Sequence, residues 1–145
     1  MTPSDFERYF HEKIPLTRAM AVHVESWENG RLVLSAPLSE NYNHLGTAFG
    51  GSLNALAMLA GYGLIWLLLG DREAHVVIRR STTNFFQPVR GDLRAVCTAP
   101  AEAEIVAFRE RFRAQGKARI TLPVVIEGEG KAAMEFDGEY VAFRE

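Results

Sequence analysis

The sequence predicts an α+β fold in which a curved antiparallel β-sheet wraps around one long apolar helix. Three observations lead there. Residues 55–69, ALAMLAGYGLIWLLL, form a fifteen-residue stretch without a charge. Around it, some six stretches alternate apolar and polar residues at the two-residue period of a half-buried strand. Gly, Asn, Asp and Pro punctuate those stretches at the spacings of tight antiparallel connections. A helix with no polar face must be covered on nearly all sides, and a sheet bent around it does so.

The elements follow in order. TPSDFERYFHEKI reads as an amphipathic helix, capped by Thr2 with Pro3 at its first position or by a Ser4/Glu7 capping box, with Phe6, Tyr9, Phe10 and Ile14 on one face. Pro15 ends it. Met20, Val22 and Val24 alternate with polar residues, Asn29-Gly30 supplies a type I′ turn, and Leu32, Leu34, Ala36 and Leu38 alternate again, which makes a hairpin. The central helix ends at Gly70-Asp71. Residues 75–92 and 92–100 then read as a second antiparallel pair joined through Pro88 to Asp92, with RRSTTNFF as a central strand. AEAEIVAFRERFRAQG carries Ile105, Phe108 and Phe112 at helical spacing with Gly116 as cap, and its Arg109, Arg111 and Arg113 read as a solvated face. Ala118, Ile120, Leu122, Val124 and Ile126 alternate through one strand, and Ala132, Met134 and Phe136 through the next, with GEG as the turn. A bulge at Asp137-Gly138 would shift the parity so that Val141 and Phe143 continue the apolar face.

Composition bounds the function. The 145 residues (16.2 kDa) suit a single domain spanning 1–145 with a sizeable core. At 48% hydrophobic, 23% charged and a net charge of -2, the chain has no field that favours nucleic acid or an anionic membrane surface. Its one cysteine, Cys97, forms no intramolecular disulfide and reads as a core thiol. The start interleaves charges with aromatics and lacks the apolar block of a secretory signal, so the expected compartment is cytoplasmic. Fifteen apolar residues make about 22 Å of helix against a hydrocarbon core of about 30 Å, too short to span a membrane comfortably.

Directly before the central helix stands NHLGTAFGGS, residues 43–52. Its Asn43, Gly46, Gly50 and Gly51, in the pattern N-x-x-G-x-x-F-G-G, resemble the N/H-x-x-G-x-x-H-G-G run of phenylacetyl-CoA-type hotdog thioesterases. With GTAFGGSLNALA and the downstream NFFQPVRGDLRA, the chain is similar over nearly its whole length to the YiiD C-terminal type of thioesterase-like domain, found after acetyltransferase domains in some bacteria. The resemblance implies a hotdog fold, a homodimer or dimer of dimers with the site at the subunit interface, and an acyl-CoA or acyl-carrier-protein substrate. CoA then enters as part of the substrate and no separate cofactor is required.

The physical chemistry agrees with such a site. The first amides of a helix lack intrahelical partners and carry about half a positive charge, so Gly50 and Gly51 can offer donors to a thioester carbonyl that becomes anionic on attack. Glycines there can equally serve a tight turn. The resemblance gives Asn43 the part of holding water or thioester, and His44 beside it is a candidate base; local turn chemistry is the other reading of both. Ser52 and Asn54 lie in the first helical turn, and an Asn in a buried helix needs a partner. Ser81, Thr82, Thr83 and Asn84 put four polar residues in succession on one strand, from which Thr83 or Asn84 can orient water with Asn43 of another subunit, or can simply face solvent. Leu53, Leu56, Met58, Phe85 and Phe86, with Phe49, suit an acyl chain, though core packing explains them equally well, and Arg80 and Arg90, with Arg79 and Lys117 near strand ends, suit nucleotide phosphates.

The sequence departs from the family in two respects. Relatives place Asp or Glu one or two turns into the helix, where this chain has Ala57 and Met58, and Phe49 replaces a common histidine. No carboxylate occurs from Gly46 through Gly70, which leaves open a non-catalytic acyl-CoA-binding module. A hydratase of the same fold needs an acid/base pair, and His44 has no carboxylate partner in the motif. The four histidines are dispersed, and neither metal-ligand spacing nor a phosphate loop is present.

Overall fold

The computed structural model describes residues 2–71 and 73–145. Helix α1 (Pro3–Lys13) begins with a capping box: Thr2 accepts from the Asp5 amide while the Asp5 carboxylate takes the Thr2 amide. The alternative Ser4/Glu7 box does not form, because Glu7 reaches across to His23 and to the Val24 amide and so pins α1 to the sheet. After a one-turn α2 (Leu16–Ala19), which the alternation of residues 20–24 does not announce, come β1 (His23–Glu28) and β2 (Arg31–Ala36). Asn29 and Gly30 both take positive φ, 53° and 71°, as the I′ turn requires. Leu38 leaves the strand for a 3-10 turn, Leu38–Glu40.

Helix α3 (Gly50–Leu69) crosses the concave face of the sheet. Its 20 residues exceed the fifteen-residue apolar stretch, so length and composition alone would allow a membrane crossing. Packing makes it a core helix: Leu56, Ala57, Ala60, Leu64 and Ile65 are fully buried against Leu32, Leu34, Leu93, Leu122, Met134 and Phe136. At about 1.5–3 kcal/mol for each large side chain removed from water, this face is the main source of stability. Gly61 is required by contact: a Cβ would overlap the Tyr140 hydroxyl, which donates to the Met58 carbonyl at 2.9 Å.

The sheet is completed by β3 (His75–Phe85), β4 (Leu93–Thr98), β5 (Lys117–Glu127) and β6 (Ala132–Phe143), in the order β1-β2-β4-β5-β6-β3. All its pairings are antiparallel. This corrects the expected pairing of residues 75–92 with 92–100: β4 lies between β2 and β5, and β3 pairs with β6 alone. RRSTTNFF is therefore an edge strand, and its polarity on both faces follows from exposure rather than from central burial.

The bulge also lies elsewhere. β6 keeps its parity, with Met134, Phe136, Gly138, Tyr140 and Ala142 all buried on the helix side, and the extra residue is Arg79 of β3. Gly138 makes room for its neighbours instead, since a Cβ there would stand 2.7 Å from the rings of both Phe136 and Tyr140. Helix α4 (Glu102–Gln115) packs on β5 through Ile105, Phe108 and Phe112. Arg109 is not part of a solvated face; its Nε donates to the Leu68 carbonyl at 2.6 Å and complements the negative end of α3.

Candidate active site

The loop 41–49 is built from side chains and delivers the chain to α3 with its first amides open. Asn41, buried at its base, donates from Nδ2 to the carbonyls of Met20 (3.0 Å) and Pro37 (2.8 Å), while its backbone carbonyl accepts the Phe49 amide. The Asn43 Oδ1 accepts from the amides of Leu45 and Thr47, and its Nδ2 donates to the Thr47 hydroxyl at 3.0 Å. Asn43 thus organises the loop, the turn chemistry open to it from sequence. Ala48 donates to the Val89 carbonyl, which fastens this loop to the connection between β3 and β4.

At the helix start the Phe49 carbonyl takes the amides of Ser52 and Leu53, and no side chain caps the terminus. The Gly50 and Gly51 amides have no protein acceptor among the described residues. Gly51 is exposed and Gly50 half-buried, so both can meet a ligand. A Cβ on Gly51 would overlap the Phe49 ring, which folds back over it, and one on Gly50 would come 3.6 Å from Phe85. Tyr42, Leu45, Phe49, Phe85 and Phe86 are all more than half exposed, an apolar collar next to two open donors.

One turn into the helix, Asn54 lies on the same face as Gly50 and Gly51, and helical side chains lean toward the N-terminus. Its Oδ1 accepts from the Thr83 hydroxyl at 2.7 Å, which leaves the Nδ2 protons without a protein acceptor among the described residues. Thr83 and Asn54, both singled out from sequence, therefore meet within one chain, and the hydroxyl holds the amide with its donors free.

Strand alternation separates the remaining β3 candidates. Thr83 and Phe85 face the helix, and Arg80, Thr82 and Asn84 point to the opposite side, away from Asn54 of their own chain. Arg79 is engaged with Glu139 at 2.9 Å. Arg90 is exposed next to Val89 and so stands near the start of α3. Ser52 is half-buried in the first turn, and Met58 is half-buried one turn beyond Asn54. His44 is exposed at the loop tip and makes no hydrogen bond among the described residues. The carboxylates flanking the loop are engaged elsewhere: Asp92 accepts the Leu38 amide at 2.9 Å, and Glu40 accepts from the Ser39 hydroxyl. Cys97 is fully buried within β4, and burial pushes its thiol up to about 12, so it is no nucleophile.

With this geometry in view, the model of a family described as "Putative thioesterase (yiiD_Cterm)" matches residues 4–144. The chain belongs to this YiiD C-terminal thioesterase family. Solved structures agree with the assignment. A Chlorobaculum tepidum protein of unknown function is 32% identical, with 99% of this chain and 98% of that one covered at a TM-score of 0.91. A "putative thioesterase" from Shewanella oneidensis is 27% identical over 98% of this chain and 97% of its own, with a TM-score of 0.84. A Pseudomonas aeruginosa protein described as a "probable thioesterase" is 25% identical over 99% and 97%, with a TM-score of 0.81. The fold of this family member is the hotdog fold implied by its glycine run.

Two site features escaped the reading of the sequence. Tyr140, whose hydroxyl binds the α3 backbone, is turned outward by the expected parity shift at Asp137-Gly138, which puts Val141 and Phe143 on the apolar face in its place. The second is the groove along α3 lined by Ala55, Met58, Tyr62 and Trp66. An apolar helix without periodicity conceals which stripe stays uncovered.

Proposed function

We propose that this YiiD C-terminal family member hydrolyses acyl thioesters of CoA or acyl carrier protein at the N-terminus of α3. The observation that carries the reading is the pair of open amides at Gly50 and Gly51, with the Asn54 amide held beside them by Thr83. In the reaction, water adds to the thioester carbonyl carbon and the carbonyl oxygen takes the negative charge. Donors already in place stabilise that oxyanion, each by a few kcal/mol. Collapse breaks the C–S bond, and the departing thiolate takes up the proton lost by water, which yields a carboxylic acid and a free thiol. His44 is the candidate acceptor of that proton, and Arg90, exposed beside Val89, is the candidate partner of the CoA phosphates.

The working unit in this proposal is a homodimer, or a dimer of dimers, in which a second copy adds to the free edge of β3 and brings its Asn84 and Thr82 toward the neighbouring site. The exposed backbone edge and the apolar collar favour it. A second reading, a binding module without turnover, is favoured by the absence of any carboxylate from Gly46 through Gly70. Free-thiol release across an acyl-CoA panel, run in parallel with binding calorimetry, separates the two. Thiol release above the uncatalysed rate supports hydrolysis; tight binding with no thiol released replaces it with the binding module.

A further inference from the structure

Between Leu53 and Trp66 the half-exposed residues of α3 form a single stripe: Asn54 and Ala55, then Met58, Tyr62 and Trp66, at helical spacing. Every other large side chain of the helix from Leu53 through Ile65 is buried. From Ala55 on, the stripe is the floor of a groove of about 650 Å³ between α3, the start of β3 and the segment that leaves α1. Its walls are Leu59, Val76, Val77 and Phe143 on one side and Tyr9, Ile14 and Leu16 on the other. The volume is that of a small-molecule site, and the floor runs without a charged residue from Ala55 to Trp66.

The far end is lined by aromatic rings. Tyr62 stacks on Trp66 with centroids 5.9 Å apart, Tyr9 meets Trp66 edge-on at 5.3 Å, and the Trp66 indole donates to the Ala74 carbonyl at 3.1 Å, which ties this wall to the segment before β3. Burial pushes the Tyr62 hydroxyl up, so the wall stays neutral at physiological pH. The charged residues that border the groove, Lys13, Glu73 and His75, are exposed at its rim.

We infer that this groove is the acyl-chain channel and that its aromatic end wall selects unbranched chains of about eight to twelve carbons, as judged from helix rise and bond geometry. The inference rests on the thioester reading above, because the groove begins at Ala55, the residue that follows Asn54 and the donors proposed to hold the carbonyl. From Ala55 to Tyr62 the helix rises about 10 Å, and to Trp66 about 16 Å, at 1.5 Å per residue. An extended chain advances roughly 1.3 Å per methylene, which gives that range of lengths. Methylenes laid on this floor leave water, and those beyond Trp66 meet the charged rim and gain nothing. Affinity therefore rises about fourfold per methylene at most up to the wall, then levels off.

The test uses non-hydrolysable S-alkyl-CoA thioethers of two to sixteen carbons in calorimetry, with thiol release from the matching acyl-CoAs measured separately. The expected result is affinity that climbs with length to a plateau at about ten carbons. Met58→Trp should move the plateau to about four carbons, and Trp66→Ala should move it outward by two or more. Ala55→Leu is a milder block if Met58→Trp does not fold. Affinity independent of chain length, or an equal loss at every length in Met58→Trp, overturns the channel even if thiol release continues. Length-dependent binding without thiol release overturns hydrolysis and leaves the channel standing. A change in sedimenting mass in Met58→Trp, with no change in the length profile, shows that a second copy fills the groove and also overturns the inference.

Discussion

Asn43 and Asn54 show how two residues of one type, both visible in the sequence, acquire different roles from their surroundings. The Asn43 side chain is used at both ends by its own loop, so its loss is a structural one. Hydrogen bonds of this kind contribute about 0.5–1.5 kcal/mol each. Asn43→Ala is expected to lower stability by about 1–3 kcal/mol, and to reduce turnover and affinity together as the loop loosens. Asn54 keeps its donors free, and its carbonyl oxygen is occupied by Thr83. If those donors meet the oxyanion, Asn54→Ala lowers kcat by about 10²-fold with little change in KM, whereas Thr83→Val has a smaller effect in the same direction. Steady-state kinetics on a ten-carbon acyl-CoA reads this directly. Equal effects on kcat and on affinity in Asn54→Ala would remove it from the chemistry. The individual candidates were legible because buried or clustered polar residues demand partners. Which pairs would meet was not, since Asn54 and Thr83 are brought together only by the packing of an edge strand on the helix.

The same limit holds for whole elements. Alternation marked β2, β5 and β6 closely, and the Asn29-Gly30 turn fixed the one hairpin whose strands are joined by two residues. For β3 and β4, succession in the chain suggested pairing, yet the connection after Phe85 passes β6 and β5 to reach β4 in the sheet interior while β6 takes the inner edge of β3. Periodicity reports which face of a strand is buried and carries no information on its neighbours. The displaced bulge has a related cause: Gly138 was read as a break in β6, whereas it is a gap filled by two rings, and the register slips on the partner strand at Arg79. The outer edge of β3 carries a testable consequence. In an isolated chain, alternate amides between His75 and Phe85 face solvent and exchange rapidly. If a second copy pairs along this edge, all of them exchange slowly, and protection is lost on dilution together with a fall in sedimenting mass to 16.2 kDa. Fast exchange of the alternate amides at high concentration would rule out this mode of assembly.

At the scale of the molecule, the sheet and α3 share a single core, and several ionisable groups are enclosed in it. The apolar helix, the alternating strands and the glycine run were enough to define the architecture. What they did not reveal was how polar atoms are accommodated inside, because that depends on cross-sheet contacts such as Tyr140 on Gly61 and Arg109 on the end of α3. The enclosed groups set how the whole fold responds to alkali. Burial pushes the Cys97 thiol from 9.0 up to about 12 and pushes the Tyr140 hydroxyl further up still, so both are neutral in the folded state where an unfolded chain would ionise them. Their folded values lie above the unfolded ones. The stability they protect is therefore complete below about pH 9 and is lost as pH rises from there toward 12. Each group that ionises only on unfolding steepens the loss by at most about 1.4 kcal/mol per pH unit. Denaturant unfolding should thus show a stability that is flat between pH 7 and 8.5 and falls with increasing slope above 9. The double variant Cys97→Ala/Tyr140→Phe should start lower, through lost packing and the lost bond to Met58, but decline less steeply. An identical slope in the variant and the parent above pH 9 would show that other groups control the alkaline transition.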